Sequence, residues 1–239
     1  MWVAGIDEAG RGCLCGSLFV AGVIGKAHII ESFGAKDSKR LSPKRREYIY
    51  ESMEKAQNKG EIGIYVVEIN AEEIDTNGLS FAMRKGIESL LKALGDYALQ
   101  YKILQKDIMI KEKTQGFQAL KKGLEINDTN NGDKEERFTI VVDGNTIFNA
   151  QIPQYLQELG LSVKTLVKAD SLLSVVSCAS IAAKVCKDRQ MCALDKLYPQ
   201  YKLAKNKGYG TLEHRKSIAQ YGYCPHHRKS FAFNALKLL

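Results

Sequence analysis

What most limits the folds open to this chain is a set of short apolar runs, five to eight residues long, rich in β-branched side chains and most of them stopped by a carboxylate, a glycine or an asparagine. Trp2 to Glu8, Ser17 to Ile24, Ile62 to Ile69, Phe138 to Val142 and Ser162 to Val167 have the length and composition of strands. The stretches between them carry a helical period. Ser42-Pro43-Lys44 is a serine cap followed by proline at the first helical position, and its pattern runs to about Asn58. From Ala71 to about Leu104, Ile74, Phe81, Met83, Ile87, Leu90, Leu91 and Leu94 repeat as a helix face, with breaks expected near Asn77-Gly78 and near Gly95. Gln154 to Leu159 reads as a short helix, and Ser171 to Lys196, with its many small residues, as one packed close against a neighbour. Three early strands followed by helix, strand, helix, strand, helix predict an α/β domain with a mixed five-stranded sheet flanked by helices.

The longest apolar stretch, Leu14 to Ile24, is broken by Gly16 and Gly22. It is far short of the roughly 20 residues that span a bilayer, so a buried strand is expected and no membrane association. The N-terminus lacks the basic start of a signal peptide and puts Asp7 and Glu8 where its apolar region would lie, which predicts a cytoplasmic location. Between Lys106 and Arg137, Phe117, Leu120 and Leu124 suggest a short amphipathic helix, and Asn127 to Glu136 a polar loop.

The net charge of +8 is unevenly spread. Residues 1–195 hold 26 basic and 26 acidic side chains, whereas residues 196–239 hold nine basic ones and a single acid, Glu213. This divides the chain into a neutral body, 1–195, and a basic, helical C-terminal segment, 196–239. A second basic cluster, Lys36, Lys39, Arg40, Lys44, Arg45 and Arg46, contains only Asp37 as an acid. Cations gathered on a neutral body suit a polyanion, and Tyr198, Tyr201, Tyr209, Tyr221 and Tyr223 interleave with those of the tail. A solvated tail with its rings packed on the body is the alternative.

Four carboxylates stand at strand ends: Asp7 and Glu8 after the first run, Asp143 after the fourth, and Asp170 after the fifth. Strand ends in α/β folds meet in a crevice. Acids converging there repel one another unless cations intervene, and paired hard dications would suit phosphodiester chemistry. The ordinary reading stays open: Asp143-Gly144 as a turn, Asp170 as a helix cap and Asp7-Glu8 as a solvated strand end. Adjacent strand residues point to opposite faces, so Asp7 and Glu8 are expected to need a turn or bulge at Ala9-Gly10 to share a site. The six cysteines and four histidines follow no zinc-finger spacing; the thiols are expected reduced and mostly buried, the histidines at the surface or beside phosphates.

In sequence order, Gly5-Ile6-Asp7-Glu8-Ala9-Gly10-Arg11-Gly12, Asp37-Ser38-Lys39-Arg40-Leu41-Ser42, Val142-Asp143-Gly144, Lys168-Ala169-Asp170, Ala179-Ser180-Ile181-Ala182-Ala183-Lys184-Val185 with Asp188-Arg189, and Lys207-Gly208-Tyr209-Gly210-Thr211 with His227-Arg228-Lys229-Ser230-Phe231 resemble the type 2 ribonucleases H, ribonuclease HII. The resemblance covers residues 5 to about 231 and implies a ribonuclease H-like fold with a small helical C-terminal part. It implies an endonuclease that cuts RNA in RNA–DNA hybrids and duplex DNA on the 5′ side of embedded ribonucleotides, leaving a 3′-hydroxyl. Asp7, Glu8, Asp143 and Asp170 would be the catalytic carboxylates holding Mn²⁺ or Mg²⁺, two ions during catalysis. Gly10-Arg11-Gly12 would read the 2′-hydroxyl through its backbone, and Tyr209 would stack on the sugar at the junction. Lys39, Arg46, Lys184 and Arg228 are the candidates for phosphate contacts.

The type 3 enzymes are the nearest rival, but the resemblance gives them an extra N-terminal domain and a glutamate where this chain has Asp170. A catalytically silent hybrid-binding module would need one motif carboxylate replaced, and none is. The chain departs from the family pattern in the long polar stretch between Lys106 and Arg137, in the gap from Asp143 to Asp170, and in Cys13 and Cys15, where proline or alanine is more familiar. The two cysteines raise redox sensitivity beside the site as an expectation. Phe231 to Leu239 reads as a final helix on the core, with a sliding-clamp-binding peptide as the alternative, and the protein is expected to be a monomer.

Overall fold

Both faces of a sheet must be covered before its strands can read as unbroken apolar runs, and the computed structural model has that arrangement. It describes residues 1–35, 38–104, 127–128 and 137–231, with only the backbone of Asn127 and Asp128 and without the side chain of Lys39. In chain order the strands are β1 (Trp2–Ala9), β2 (Leu18–Lys26), β3 (Ile62–Ile69), the two-residue β4 (Asn127–Asp128), β5 (Phe138–Asp143) and β6 (Leu161–Leu166). They form one mixed sheet in the order β3-β2-β1-β5-β6-β4. β1, β2 and β3 are an antiparallel meander, while β5 and β6 run parallel to β1. The five expected strands are thus all present, and β4 adds a short antiparallel edge to β6 within a stretch read from sequence as loop.

The helices are α1 (Ala27–Ser32), α2 (Pro43–Asn58), α3 (Ala71–Asn77), α4 (Leu79–Gln100), α5 (Gln154–Glu158), α6 (Ala169–Leu172), α7 (Ser174–Leu197), α8 (Leu203–Asn206) and α9 (Leu212–Tyr221). Side chains of β2 alternate between two cores: Leu18, Val20 and Ile24 pack with Leu90, Leu91 and Leu94 of α4, and Phe19, Ala21 and Val23 with α2 and α7. The small residues of α7 let its backbone approach β1 closely. A Cβ on Gly5 would lie 2.7 Å from Val176 Cγ2. At the start of α2, Ser42 accepts a hydrogen bond from Arg45 N at 3.2 Å, with Pro43 next in the chain, as the cap pattern predicts.

Two helix expectations are corrected. α4 continues through Gly95, where glycine answers a packing demand, since a Cβ would come within 2.3 Å of Leu156 Cδ1. The helix expected from Ser171 to Lys196 is instead α6 and α7, separated by an extended Leu173 with φ −122° and ψ 117°. Ser177 Oγ fixes that break by donating to the carbonyls of Asp170 at 2.6 Å and Leu173 at 3.2 Å. The amphipathic helix expected around 117–124, the rest of the polar loop and the segment 232–239 lie outside the described residues.

A third cluster joins the C-terminal part to the turn after β1. Leu14 and Cys15 pack with Met191, Leu194, Tyr201, Leu203, Ile218 and Cys224. No described helix is long and apolar enough to cross a membrane.

Candidate active site

Because β1, β5 and β6 are parallel, their C-terminal ends share one edge of the sheet. The register pairs Ile6 with Val142, so one step further sets Asp7 beside Asp143. Asp143 in turn pairs with Leu166, the last residue of β6. Lys168 then takes a left-handed conformation, φ 60°, which turns the chain into α6 and sets the buried Asp170 in its first turn, against β5.

Of the turn or bulge expected at Ala9-Gly10, the chain makes the turn. β1 stays in register with β2 through Ala9, and the chain turns only at Gly10, φ +102°. Asp7 faces α7, where Ser180 hydrogen-bonds its carboxylate, and the Glu8 carboxylate stays within hydrogen-bonding reach of that of Asp7 despite the alternation of the strand. Both carboxylates also feel Asp143, which terminates the neighbouring strand.

Burial dominates the electrostatics. Asp7 is 5% exposed; loss of solvent, reinforced by Glu8 and Asp143, pushes its carboxyl well above the usual range, against the opposing bond from Ser180. Glu8 is raised as well, by burial and by Asp143, while Arg11 partly offsets the shift through an ion pair at 3.2 Å. Such a donor set of hard carboxylate oxygens, with the charged forms disfavoured, suits a divalent cation of the Mg²⁺ or Mn²⁺ type. The described residues also hold a separate group of softer donors: ligand atoms of Cys15, Cys224 and His227, all buried, lie within 4.8 Å of one another.

Gly10, Arg11 and Gly12 form the turn after β1. A Cβ on Gly10 would come within 2.8 Å of the Ser17 carbonyl, whereas one on Gly12 would meet nothing within 4 Å. The ring of Tyr209 is 45% exposed beside this loop, through a bridge pairing Cys13 with Tyr209. Its face lies over the Lys187 ammonium, 4.7 Å from the ring centre, with Lys184 at 6.0 Å. Lys187 is fully buried and donates to the Lys207 carbonyl.

Of the expected phosphate-contacting cations, Lys184 is partly exposed and paired with Asp188 at 2.8 Å. Arg46 and Arg228, two of the other candidates, are buried. Arg46 is 8% exposed and donates to the carbonyls of Ser38 and Leu41, with Asp188 3.3 Å away. Arg228 is wholly buried and donates to the carbonyls of Gly16 at 2.9 Å and Arg11 at 3.0 Å. It braces the Gly10–Gly16 turn from within. Lys39 sits in the 3-10 turn Ser38–Arg40, its side chain outside the described residues.

The expectation of surface histidines holds for the exposed His28 and the partly exposed His226 but fails for His214 and His227, which are buried and joined Nε2 to Nε2 at 3.1 Å. Sequence reasoning missed these two, Ser180 and Lys187. The helical small-residue pattern concealed Ser180, and for Lys187 the only signal was its spacing of three residues from Lys184.

Comparison with known proteins agrees with this geometry. The family model described as Ribonuclease HII matches residues 4–135 and 128–234. A ribonuclease HII from Helicobacter pylori is 35% identical over 232 residues, covering 95% of this chain and 87% of its own length. One from Caldicellulosiruptor saccharolyticus is 35% identical over 237 residues, covering 99% and 89%. Among solved structures, the Archaeoglobus fulgidus ribonuclease HII, determined as a PCNA complex, superposes with a TM-score of 0.62 at 25% identity, covering 97% of this chain and 95% of that one. The Pyrococcus horikoshii ribonuclease H2 has the same fold, with a TM-score of 0.61 at 24% identity, covering 100% and 98%. With its strand-end acids in place and the family model matched over nearly its whole length, the chain belongs to the ribonuclease HII family.

Proposed function

We propose that this protein is a metal-dependent endonuclease that hydrolyses RNA in RNA–DNA hybrids and cuts duplex DNA on the 5′ side of embedded ribonucleotides, leaving 3′-hydroxyl and 5′-phosphate ends. The observation that carries the reading is the convergence of the buried Asp7 with the partly buried Glu8 and Asp143 at the sheet edge, beside the glycine-arginine-glycine turn, where their charges repel. Asp7, Glu8, Asp143 and Asp170 would hold Mn²⁺ or Mg²⁺. Two bound ions would supply an activated water and charge stabilisation at the phosphate.

The chain's own residues do the rest. Ser180 orients the Asp7 carboxylate, and Arg11 holds Glu8 until a cation competes for it. The space above Gly12 admits a sugar against the main chain, where backbone groups can test for a 2′-hydroxyl, the feature that separates RNA from DNA. Tyr209 presents an exposed face for stacking on the junction sugar, and Lys184, with Lys39 the other candidate of the motif, would supply charge for the phosphates. Arg46 and Arg228 serve the substrate indirectly, by fixing the 38–41 turn and the Gly10–Gly16 turn. Residues 196–239 act as a basic accessory segment to the 1–195 body.

A DNA duplex containing one ribonucleotide, incubated with the protein and each ion in turn, tests this reading. A single ion-dependent cut 5′ to the ribonucleotide is expected; binding without cleavage would leave a hybrid-binding module. The PCNA complex of the Archaeoglobus relative supports a sliding clamp as partner, docked through Phe231 to Leu239. Unchanged clamp affinity after deletion of the last six residues would remove that partner.

A further inference from the structure

Cys15 and Cys224 are more than two hundred residues apart in sequence, yet the fold brings their sulfurs within 4.8 Å. The approach is built in. Gly16 N donates to the His226 carbonyl and Arg228 N to the Leu14 carbonyl, both at 2.8 Å, so the turn after β1 and the segment 226–228 pair as two short antiparallel stretches, with Cys15 opposite His227. His227 N donates to the Cys224 carbonyl at 3.0 Å, folding Cys224 back over that pair.

The His227 ring beside the sulfurs is already committed. Cys224 N–H donates to His227 Nδ1 at 2.9 Å, so Nδ1 carries a lone pair and the proton sits on Nε2. That Nε2–H faces His214 Nε2 at 3.1 Å, and His214 Nδ1–H donates to the Tyr209 carbonyl at 2.9 Å. Both imidazoles are thereby neutral, with each nitrogen engaged. A metal ion on His227 would have to displace a backbone N–H or break the histidine pair, whereas a bond between the two sulfurs disturbs neither.

We propose that Cys15 and Cys224 are a modification site, a dithiol that a peroxide converts into an intramolecular disulfide locking the turn after β1 to the C-terminal segment. Cys224 lies just beneath the surface, between the exposed Tyr223 and Pro225, while Cys15 has no exposure. Cys224 is therefore the attacking sulfur and Cys15 the resolving one. The hydrogen bond from Cys15 favours the Cys224 thiolate and holds that thiol below its ordinary range, and the same contact with burial pushes Cys15 up. In the first step the Cys224 thiolate attacks a peroxide oxygen, the O–O bond breaks, and a sulfenic acid and hydroxide form. Cys15 sulfur then attacks the Cys224 sulfur, giving up its proton as the sulfenic oxygen leaves as water. Per hydrogen peroxide, two thiols are oxidised and two waters are produced.

The site bears on the turn that the proposed function places at the sugar, because Cys15 N donates to the Gly208 carbonyl and the histidine chain ends on Tyr209. The disulfide itself does not depend on that reading, so chemistry and activity are measured separately. The full chain carrying Cys192→Ser, which removes the one exposed thiol, is treated with hydrogen peroxide, alkylated after denaturation and mapped by mass spectrometry. The expected result is a linked pair of peptides containing Cys15 and Cys224, two hydrogens lighter than their sum, restored by dithiothreitol and absent in Cys15→Ala and Cys224→Ala. The oxidised protein should melt about 5 °C or more higher, since the closed loop is long. Both cysteines remaining alkylatable, a link through Cys13, or zinc that co-purifies and is lost in the two alanine variants would each overturn the proposal. Should a variant fail to fold, mapping of the parent protein alone decides. A changed rate on the ribonucleotide duplex with the link present extends the site to activity, whereas loss of cleavage in the reduced parent would count against the proposed function only.

Discussion

The surroundings of Asp7 disfavour its charged form. Its raised carboxyl means the folded chain holds that proton more tightly than the unfolded chain does, so its contribution to stability is greatest at low pH and is lost as pH rises through the raised value. Asp7→Asn should therefore abolish cleavage with either ion, leave hybrid affinity within about twofold, and in chelator stabilise the protein at neutral pH by roughly 1–3 kcal/mol. Melting both proteins in chelator from about pH 5 to 8 checks it: the advantage must shrink toward acid. A second cation matters at a distance from the acids. Lys187→Met removes the charge under Tyr209 and orphans the Lys207 carbonyl, and should lower cutting at isolated ribonucleotides about tenfold, with Lys187→Arg recovering most of it. Comparable turnover in the two variants would deny Lys187 a positioning role. The acids were legible because strand ends announce themselves. The burial of Arg228 was not, since a sequence displays a charge but not the carbonyls that will satisfy it.

Elements were read most securely where a single local rule decides. Ser42-Pro43 started α2, and β-branched runs marked β1, β3 and β5 to within a residue or two. Where a distant contact decides, the reading slipped: Leu156 explains Gly95 inside α4, and Ser177 holds open the break before α7. The link from α9 to the turn after β1 is of this second kind, and it carries a pH dependence. His214 is wholly buried, and burial lowers its basicity below the ordinary 6.5, although the Tyr209 carbonyl opposes the shift. A base depressed in the fold contributes stability that is present at neutral pH and lost as pH falls below about 6.5, by up to roughly 1.4 kcal/mol per pH unit. Amide exchange across Tyr209 to Arg228 should accelerate between about pH 7.5 and 5.5, while that of β1 and β2 stays unchanged apart from the intrinsic rate. Uniform loss of protection would place the sensitive group elsewhere.

The layered architecture of the molecule followed from the order of its strands, but the relation of its basic tail to its neutral body did not. α7 runs on to Leu197, across the compositional boundary, and the third apolar cluster mixes Leu14 and Cys15 with the tail. Charge within the tail is also partly spent internally. Lys202 and Lys205 flank Glu213 at 2.6 and 3.0 Å, and Arg228 is buried, while Lys196, Lys216 and Lys229 are exposed. Exposed ion pairs are weak and open readily to a competing anion, so Lys205 remains available to a phosphate. If the tail delivers the net charge to a hybrid duplex, affinity should fall steeply with salt, because each phosphate neutralised releases about 0.9 of a counterion. Lys205→Gln with Lys216→Gln should lower the slope of log affinity against log salt by about one to two. The matched pair Lys59→Gln and Lys92→Gln, on the electrically balanced body, should leave it unchanged. Equal slopes for the two double variants would mean that the asymmetry in charge serves solubility rather than binding, and that the duplex is held by the body alone.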